Sequence, residues 1–373
     1  MRGANILHLG IKELRSLLRD PVMLVLIIYA FSLSIYSAAT AMPESLHKAP
    51  IAVVDEDRSP LSLRIVDALY PPYFKKPVLI DQKEMDARMD GGLDTFALTI
   101  PPGFQRDVLA GRSPAIQLNI DATRMSQAFT GSSYLQSIIM GEVTSFLQGY
   151  RSNSSPPVDL ALRVRFNPQL NKSWFGSINE LINKITMLSL ILTGAALIRE
   201  REHGTLEHLL VMPVTPFEIM ASKVWAMALV TLLGSVCSLI LVVQGVLAVP
   251  IGGSIPLFVT GTLLHLFATT SLGIFIGTLA RSMPQFGLLM MLVLLPLQIL
   301  SGGTTPRESM PEFVQFVMLA SPNTHFVSLA QAILFRGAGF EVVWPQFVFL
   351  ALIGLLLFVL SLARFRTTIG TMT

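Results

Sequence analysis

The chain has 373 residues, 52% of them hydrophobic and 14% charged, with a mean hydropathy of +0.60. A soluble domain carries roughly a quarter charged residues, so a purely water-facing fold is excluded, as are disorder and collagen-like repetition, given long apolar runs and aperiodic glycines. The net charge of +3 is scattered without a basic, aromatic-interleaved cluster, which argues against nucleic-acid binding, and one cysteine excludes an intrachain disulfide.

In residues 1–21, Leu7, Ile11, Leu14 and Leu18 recur at helical spacing while Lys12, Arg15 and Arg19 gather on another side, before Asp20-Pro21 stops the pattern. This reads as an amphipathic helix on the inner leaflet with its cations toward lipid headgroups, the alternative being a cytoplasmic extension of the next segment. Residues 22–42 form an apolar run of the roughly 20 residues that cross a hydrocarbon layer about 30 Å thick. The small triplet Ala39, Thr40, Ala41 resembles a signal-peptidase site, but the run exceeds the about 7–15 apolar residues of a signal peptide and reads as an uncleaved span.

Residues 43–175 alternate short apolar runs with helix-like stretches. Strands are expected at 51–54, 77–80, 96–100, 116–120 and 160–166, and helices at 61–70, 84–89, 104–109 and 127–150, giving an inserted α/β domain. Five further apolar runs follow within 176–373, near 181–198, 225–249, 257–280, 285–300 and 344–363. Lipid offers backbone amides no partner, so all six runs are expected to be helices. Cys237 falls in the third and reads as a small buried side chain rather than a reactive thiol. Between the last two, residues 311–336 are more apolar than an exposed loop, and two short helices, 312–320 and 326–335, are expected to dip into the outer leaflet beside an exit gate.

Cations set the orientation, because lysine and arginine near span ends tend to stay cytoplasmic. Arg2, Lys12, Arg15 and Arg19 precede the first span, Arg199, Arg201 and Lys223 separate the second and third, Arg281 the fourth and fifth, and Arg364 and Arg366 follow the sixth. Both termini are therefore expected in the cytoplasm, and 43–175 in the periplasm of a bacterium with two membranes. The expected fold is a polytopic α-helical membrane protein, six transmembrane helices with an inserted periplasmic α/β domain.

A phosphate-cradling loop of the Gly-x-x-x-x-Gly-Lys-Ser/Thr kind has no match, so the chain is not expected to hydrolyse ATP itself. Glu202, His203, Glu207 and His208 invite a metal reading, but helical zinc motifs place two histidines four apart and these are five apart. No glycine-flanked nucleophilic serine stands out. The stretch from Arg199 to Pro216 is more informative. Gly204 breaks the incoming helix, Leu206, Leu209 and Leu210 form an apolar ridge flanked by Glu207 and His208, and Pro213 closes it. Such a short patterned helix suits docking of a soluble partner, the alternative being a plain connecting loop. Among polar residues in or near the spans, Glu180 and Lys184 are spaced as an ion pair, His265 reads as an interhelical hydrogen-bonding group, and Gln298 as a cargo contact.

The run Glu202-His-Gly-Thr-Leu-Glu-His-Leu-Leu-Val-Met-Pro213 resembles the signature of the ABC-2 type family of ABC transporter permeases. Ser301-Gly-Gly-Thr-Thr-Pro306 and Ser321-Pro-Asn-Thr-His325 resemble that family's segment between its last two spans. The likeness covers nearly the whole chain and is nearest to the bacterial inner-membrane YhhJ-like and YbhS-like permeases. It implies a coupling helix within 202–213, Gly204 to Met212 seating in a cleft of a separate ATPase, with Glu202, Thr205 and Glu207 in the contact beside the ridge of Leu206, Leu209 and Leu210. ATP and magnesium then belong to that partner, and this chain binds no cofactor. It also implies two permease subunits, identical or homologous, embedded among membrane lipids. The second and fifth spans line the path, making Asn179, Asn183, Gln298 and Ser301 path candidates. Such permeases often accompany a periplasmic membrane-fusion protein and an outer-membrane channel. The large outer domain departs from polysaccharide exporters of the family and points to drug-like or amphipathic cargo. A ligand-sensing membrane receptor is the competing reading; it needs a cytoplasmic signalling domain, which the few residues after Arg366 do not supply. A membrane-embedded hydrolase is a weaker one, lacking a nucleophile and base.

Overall fold

Pro21, Pro216, Pro256, Pro284 and Pro322 each stand in the first turn of a helix, directly or closely preceded by Asp20, Thr215, Ser254, Ser282 and Ser321. Proline tolerates that position because its missing N–H is not needed there, while a hydroxyl or carboxylate at the cap accepts an amide the helix cannot satisfy. Asp20 accepts from Met23, Thr215 from Glu218, Ser254 from Leu257 and Ser321 from Asn323. These caps punctuate the chain into the helices seen in its computed structural model, which describes residues 2–41, 48–121, 125–149, 171–202, 204, 213–305 and 307–370.

The chain divides into two compact units, Met1–Met42 with Arg163–Thr373, and Pro43–Leu162. The first begins with α1 (Arg2–Leu18), α2 (Pro21–Phe31) and α3 (Leu33–Ala41). The second is an α/β unit in chain order β1 (Ile51–Asp55), α4 (Pro60–Ala68), β2 (Val78–Leu79), α5 (Gln82–Asp90), β3 (Phe96–Ile100), α6 (Phe104–Leu109), β4 (Gln117–Ile120) and α7 (Met125–Leu147). Its sheet runs β2-β1-β3-β4, with β1 parallel to β2 and β3, and β4 antiparallel to β3. Phe74, Phe96, Leu98, Leu61 and Ile65 fill one side of that sheet and the smaller cluster of Ala52, Val54, Met85 and Ala97 the other, as the alternation along β1 and β3 dictates. The strand expected at 160–166 lies outside the described residues.

The first unit resumes with α8 (Lys172–Glu202), α9 (Pro216–Ser238, continued by π-helical turns Leu239–Val246), α10 (Ile255–Leu279), α11 (Met283–Ile299), α12 (Glu312–Met318), α13 (Pro322–Leu334) and α14 (Phe340–Gly370). Because α8 begins at Lys172, the boundary expected at 175 falls inside a helix. Five helical stretches among the described residues are long and apolar enough to cross a membrane: Pro21–Thr40, Ser173–Glu202, Pro216–Val246, Ile255–Leu279 and Phe340–Thr368. The candidate at 285–300 is α11, which at 17 residues is shorter than these.

The helices α8 and α10 approach closely because Gly273 has no side chain to keep them apart. A β-carbon there would lie 2.9 Å from the Leu190 carbonyl oxygen. Small residues at such crossings are how helices pack where lipid removes the hydrophobic drive between them. Cys237 corrects the expectation of burial: it is exposed on α9. An apolar sequence in a membrane-length helix faces either lipid or protein, so apolar surroundings in sequence do not imply an interior side chain.

Candidate functional site

Four consecutive residues at the end of α8 each hold a different neighbour. Arg199 Nη1 donates to Asp20 Oδ2 at 2.7 Å, reaching the corner between α1 and α2. Glu200 meets Lys12 of α1 at 2.5 Å and Lys223 of α9 at 2.6 Å. Arg201 Nη1 donates to the Ala280 carbonyl at 2.9 Å, just past α10, and Glu202 Oε1 accepts the Met283 N–H at 2.8 Å, in the first turn of α11. The first and last turns of helices carry unsatisfied amides and carbonyls, and these charged side chains supply partners for two of them.

At the centre of this knot Lys223, 1% exposed, also donates to Glu13 Oε1 at 2.8 Å. Two cations, the buried Lys223 and the half-exposed Lys12, thus face two buried carboxylates, Glu13 and Glu200, and the charges of the cluster balance. Burial holds the Glu13 carboxyl above its ordinary range, against the pull of the Lys223 ammonium. The α1 helix can lie this close because Gly10 leaves room for the Trp225 ring, whose Nε1 donates to the Ile6 carbonyl at 3.1 Å. Lys12 pairs with Glu200 while its side chain stays half exposed, and Arg15 and Arg19 are exposed as well.

Midway along α8 the buried polar groups are neutral. Thr186 Oγ1 donates to Asn323 Oδ1 at 2.8 Å and lies 2.9 Å from His265 Nε2, which assigns the ring proton to Nε2. Asn323 Nδ2 donates to the Leu297 carbonyl at 2.7 Å, and Ser189 donates to Thr269 at 2.7 Å. His265, expected to make an interhelical hydrogen bond, makes one between α10 and α8.

Toward the start of α8, about 30 Å from Glu200 at 1.5 Å per residue, Asn179 Nδ2 donates to the Gly303 carbonyl at 2.7 Å and its Oδ1 accepts from Gln331 Nε2 at 3.0 Å. Beside this clamp is a cavity of about 400 Å³ walled by Ser301, Gly303, Arg307, Thr324, Gln331 and neighbours. The structure thus brings Asn179 and Ser301 together. Asn183 is half-buried one turn further along α8, and Gln298, half-buried on α11, is not part of the cavity wall. Glu180 and Lys184 form the expected ion pair at 2.6 Å.

Of the predicted docking residues, Glu202 ends α8 and Gly204 takes a positive φ of 68°, a backbone turn that favours glycine. Thr205, Leu206, Glu207, Leu209 and Leu210 lie outside the described residues, as do His203 and His208. The anchoring roles of Arg199, Glu200, Lys223 and Glu13 escaped the sequence reading. Their signal was the run Arg-Glu-Arg-Glu closing an apolar helix, where each charge needs a partner.

Membrane-length helices tied together by polar contacts, with an α/β unit inserted after the first, define a polytopic helical membrane protein. The family model described as ABC-2 family transporter protein matches residues 22–363, and the chain belongs to this family of ABC transporter permeases. It is 65% identical over 368 residues to the inner membrane transport permease YhhJ of Escherichia coli strain K12, covering 99% of this chain and 98% of that one. It is also similar to the probable multidrug ABC transporter permeases YbhR and YbhS of the same organism. Those alignments are 28% identical over 340 residues, covering 89% and 90% of the two chains, and 26% identical over 336 residues, covering 88% of each. The family is a membrane transport component and not itself catalytic.

Proposed function

We propose that the chain is the inner-membrane permease subunit of an ATP-driven exporter, with 202–213 as the coupling helix that receives work from a separate ATPase. The observation that carries this reading is the anchoring of Arg199, Glu200, Arg201 and Glu202 to four other parts of the bundle, immediately before that segment. A displacement delivered there reaches α1, α9, α10 and α11 together. ATP can shift the conformational equilibrium only through a partner whose contact differs between states, so the partner acts on the segment beyond Glu202.

In this reading α11 is a sixth span, both termini are cytoplasmic, and Pro43–Leu162 is periplasmic. Residues 311–336 form the outer re-entrant helices, and Asn179, Asn183, Gln298 and Ser301 belong to the path. A second permease subunit, a copy or a homologue, completes the conduit. YbhR and YbhS are named as probable multidrug permeases, which agrees with drug-like or amphipathic cargo. The inserted unit suits a periplasmic membrane-fusion protein leading to an outer-membrane channel.

The test is Glu207→Lys in the assembled transporter. It is expected to leave membrane insertion and ATPase association measurable while uncoupling ATP hydrolysis from export, so that export is lost. Wild-type export by that variant overturns the assignment of the coupling segment.

A further inference from the structure

The cavity beside Asn179 carries chemistry that transmission of movement does not use. Ser301 and Thr324 stand on its wall, 2% and 3% exposed, and neither hydroxyl has a hydrogen-bond partner. Buried hydroxyls are almost always satisfied, so two orphans on one wall mark a place for a ligand that accepts or donates there. Arg307 and Arg336 stand on the same wall, and among the described residues no carboxylate lies within ion-pair distance of either. Glu308, exposed at the rim, is the single carboxylate among the lining residues, so two guanidiniums outweigh one acid. Thr324 lies in the first turn of α13, whose N-terminal partial charge is also positive.

The cavity also has apolar lining residues. Phe175 lines it and is held in place by stacking on Phe335, with ring centroids 5.6 Å apart. Val327, on α13, adds a second apolar surface. Positive charge and unpaired hydroxyls next to a fixed aromatic ring suit a molecule with an anionic head and a greasy body.

We propose that this cavity binds the anionic head of an amphipathic molecule, a phosphate, sulfonate or carboxylate, through Arg307, Arg336, Ser301 and Thr324, with the apolar part against Phe175. Guanidinium forks pair with such heads in bidentate geometry, and the hydroxyls donate the remaining hydrogen bonds. Where the bound molecule is cargo, the assignment rests on the exporter reading above; the binding itself does not.

The test uses the full chain purified in a neutral maltoside detergent, with dodecyl phosphate as probe and dodecyltrimethylammonium as the oppositely charged control, read by titration calorimetry. Dodecyl phosphate is expected to bind saturably, the cation not at all. Arg307→Gln with Arg336→Gln, and separately Ser301→Ala with Thr324→Val, are each expected to weaken binding at least tenfold at unchanged thermal midpoint. The second pair removes only hydroxyl oxygens, which keeps the result readable if the arginine pair folds poorly. Competition by inorganic phosphate identifies a free anion as a sufficient ligand; competition by short-chain phosphatidylglycerol alone identifies a lipid headgroup, and either supports the anionic site. Equal binding of the cation, or wild-type affinity in both double variants, overturns it. No ATPase enters the measurement, so wild-type export by Glu207→Lys with dodecyl phosphate binding intact sinks the exporter reading alone, and lost binding with that coupling result unchanged sinks this one alone.

Discussion

Glu202 Oε1 accepts the backbone N–H of Met283 at 2.8 Å, so the last residue of α8 caps the first turn of α11. The contact matters because of its position in the chain. One residue earlier Arg201 holds the end of α10, α8 ends at Glu202, and Gly204 has a left-handed backbone. A helix end held on several sides by short charged contacts cannot tilt without moving its neighbours or breaking those contacts. This is the mechanical property required of the element that precedes a coupling segment.

The buried knot should fail when its central cation is removed. Lys223→Met removes the buried cation shared by Glu13 and Glu200 and leaves the half-exposed Lys12 beside two carboxylates, and breaking a buried pair by deleting one partner costs about 3–5 kcal/mol. The expected outcome is a markedly lower thermal midpoint in detergent. Adding Glu13→Gln to Lys223→Met is expected to recover part of the loss, because one uncompensated charge disappears. An unchanged midpoint for Lys223→Met would show that the cluster is solvated.

Much of the architecture was legible because hydropathy reports directly on it. The apolar runs after residue 176 coincide with α8 to α11 and α14, and the short apolar runs at 51–54 and 96–100 with β1 and β3. What a run of apolar residues does not encode is which side meets protein. Cys237 was expected inside and is exposed, and the pairing of Lys12 with Glu200 had no mark in the sequence. Long-range pairing is invisible for the same reason: nothing local in Arg-Glu-Arg-Glu says that its members reach Asp20, Lys12, Lys223, Ala280 and Met283. The Asn179 clamp joins α8 to Gly303 and Gln331 far along the chain, so the sequence marked Asn179 and Ser301 as polar candidates without showing that Asn179 holds two residues of the wall that Ser301 lines.

The crossing of α8 and α10 gives a packing test with an internal control. Gly273→Val places carbon atoms against the Leu190 carbonyl, and backbone cannot swing aside as a side chain can. Overpacking of this kind costs about 1–3 kcal/mol, more where two helices must separate. Gly287→Ala, on α11 with nothing within 4 Å of the new carbon, is expected to be neutral or to stabilise by up to about 1 kcal/mol through helix propensity. Size-exclusion profiles and thermal midpoints of the two variants should diverge in opposite directions; a tolerated Gly273→Val would show that the two helices pack less closely than the 2.9 Å approach implies.

Asn179 should govern access to the cavity wall. Its side chain holds the Gly303 carbonyl and receives the Gln331 amide, so Asn179→Leu removes both hydrogen bonds and leaves the two partners unsatisfied in a half-buried place, a cost of about 1–3 kcal/mol for each group. The segment around Ser301 then loses that anchor and keeps its own turn at Gly302, where φ is 94°. In a Cys237→Ser background, a Ser301→Cys thiol, replacing a side chain 2% exposed, is expected to react slowly with a water-soluble maleimide. Adding Asn179→Leu is expected to speed that labelling severalfold, while Asn179→Asp, which can still accept from Gln331 but no longer donates to Gly303, should fall between. Equal labelling rates in all three would mean that Gly303 is positioned by the helix ends around it and that the Asn179 side chain is a bystander.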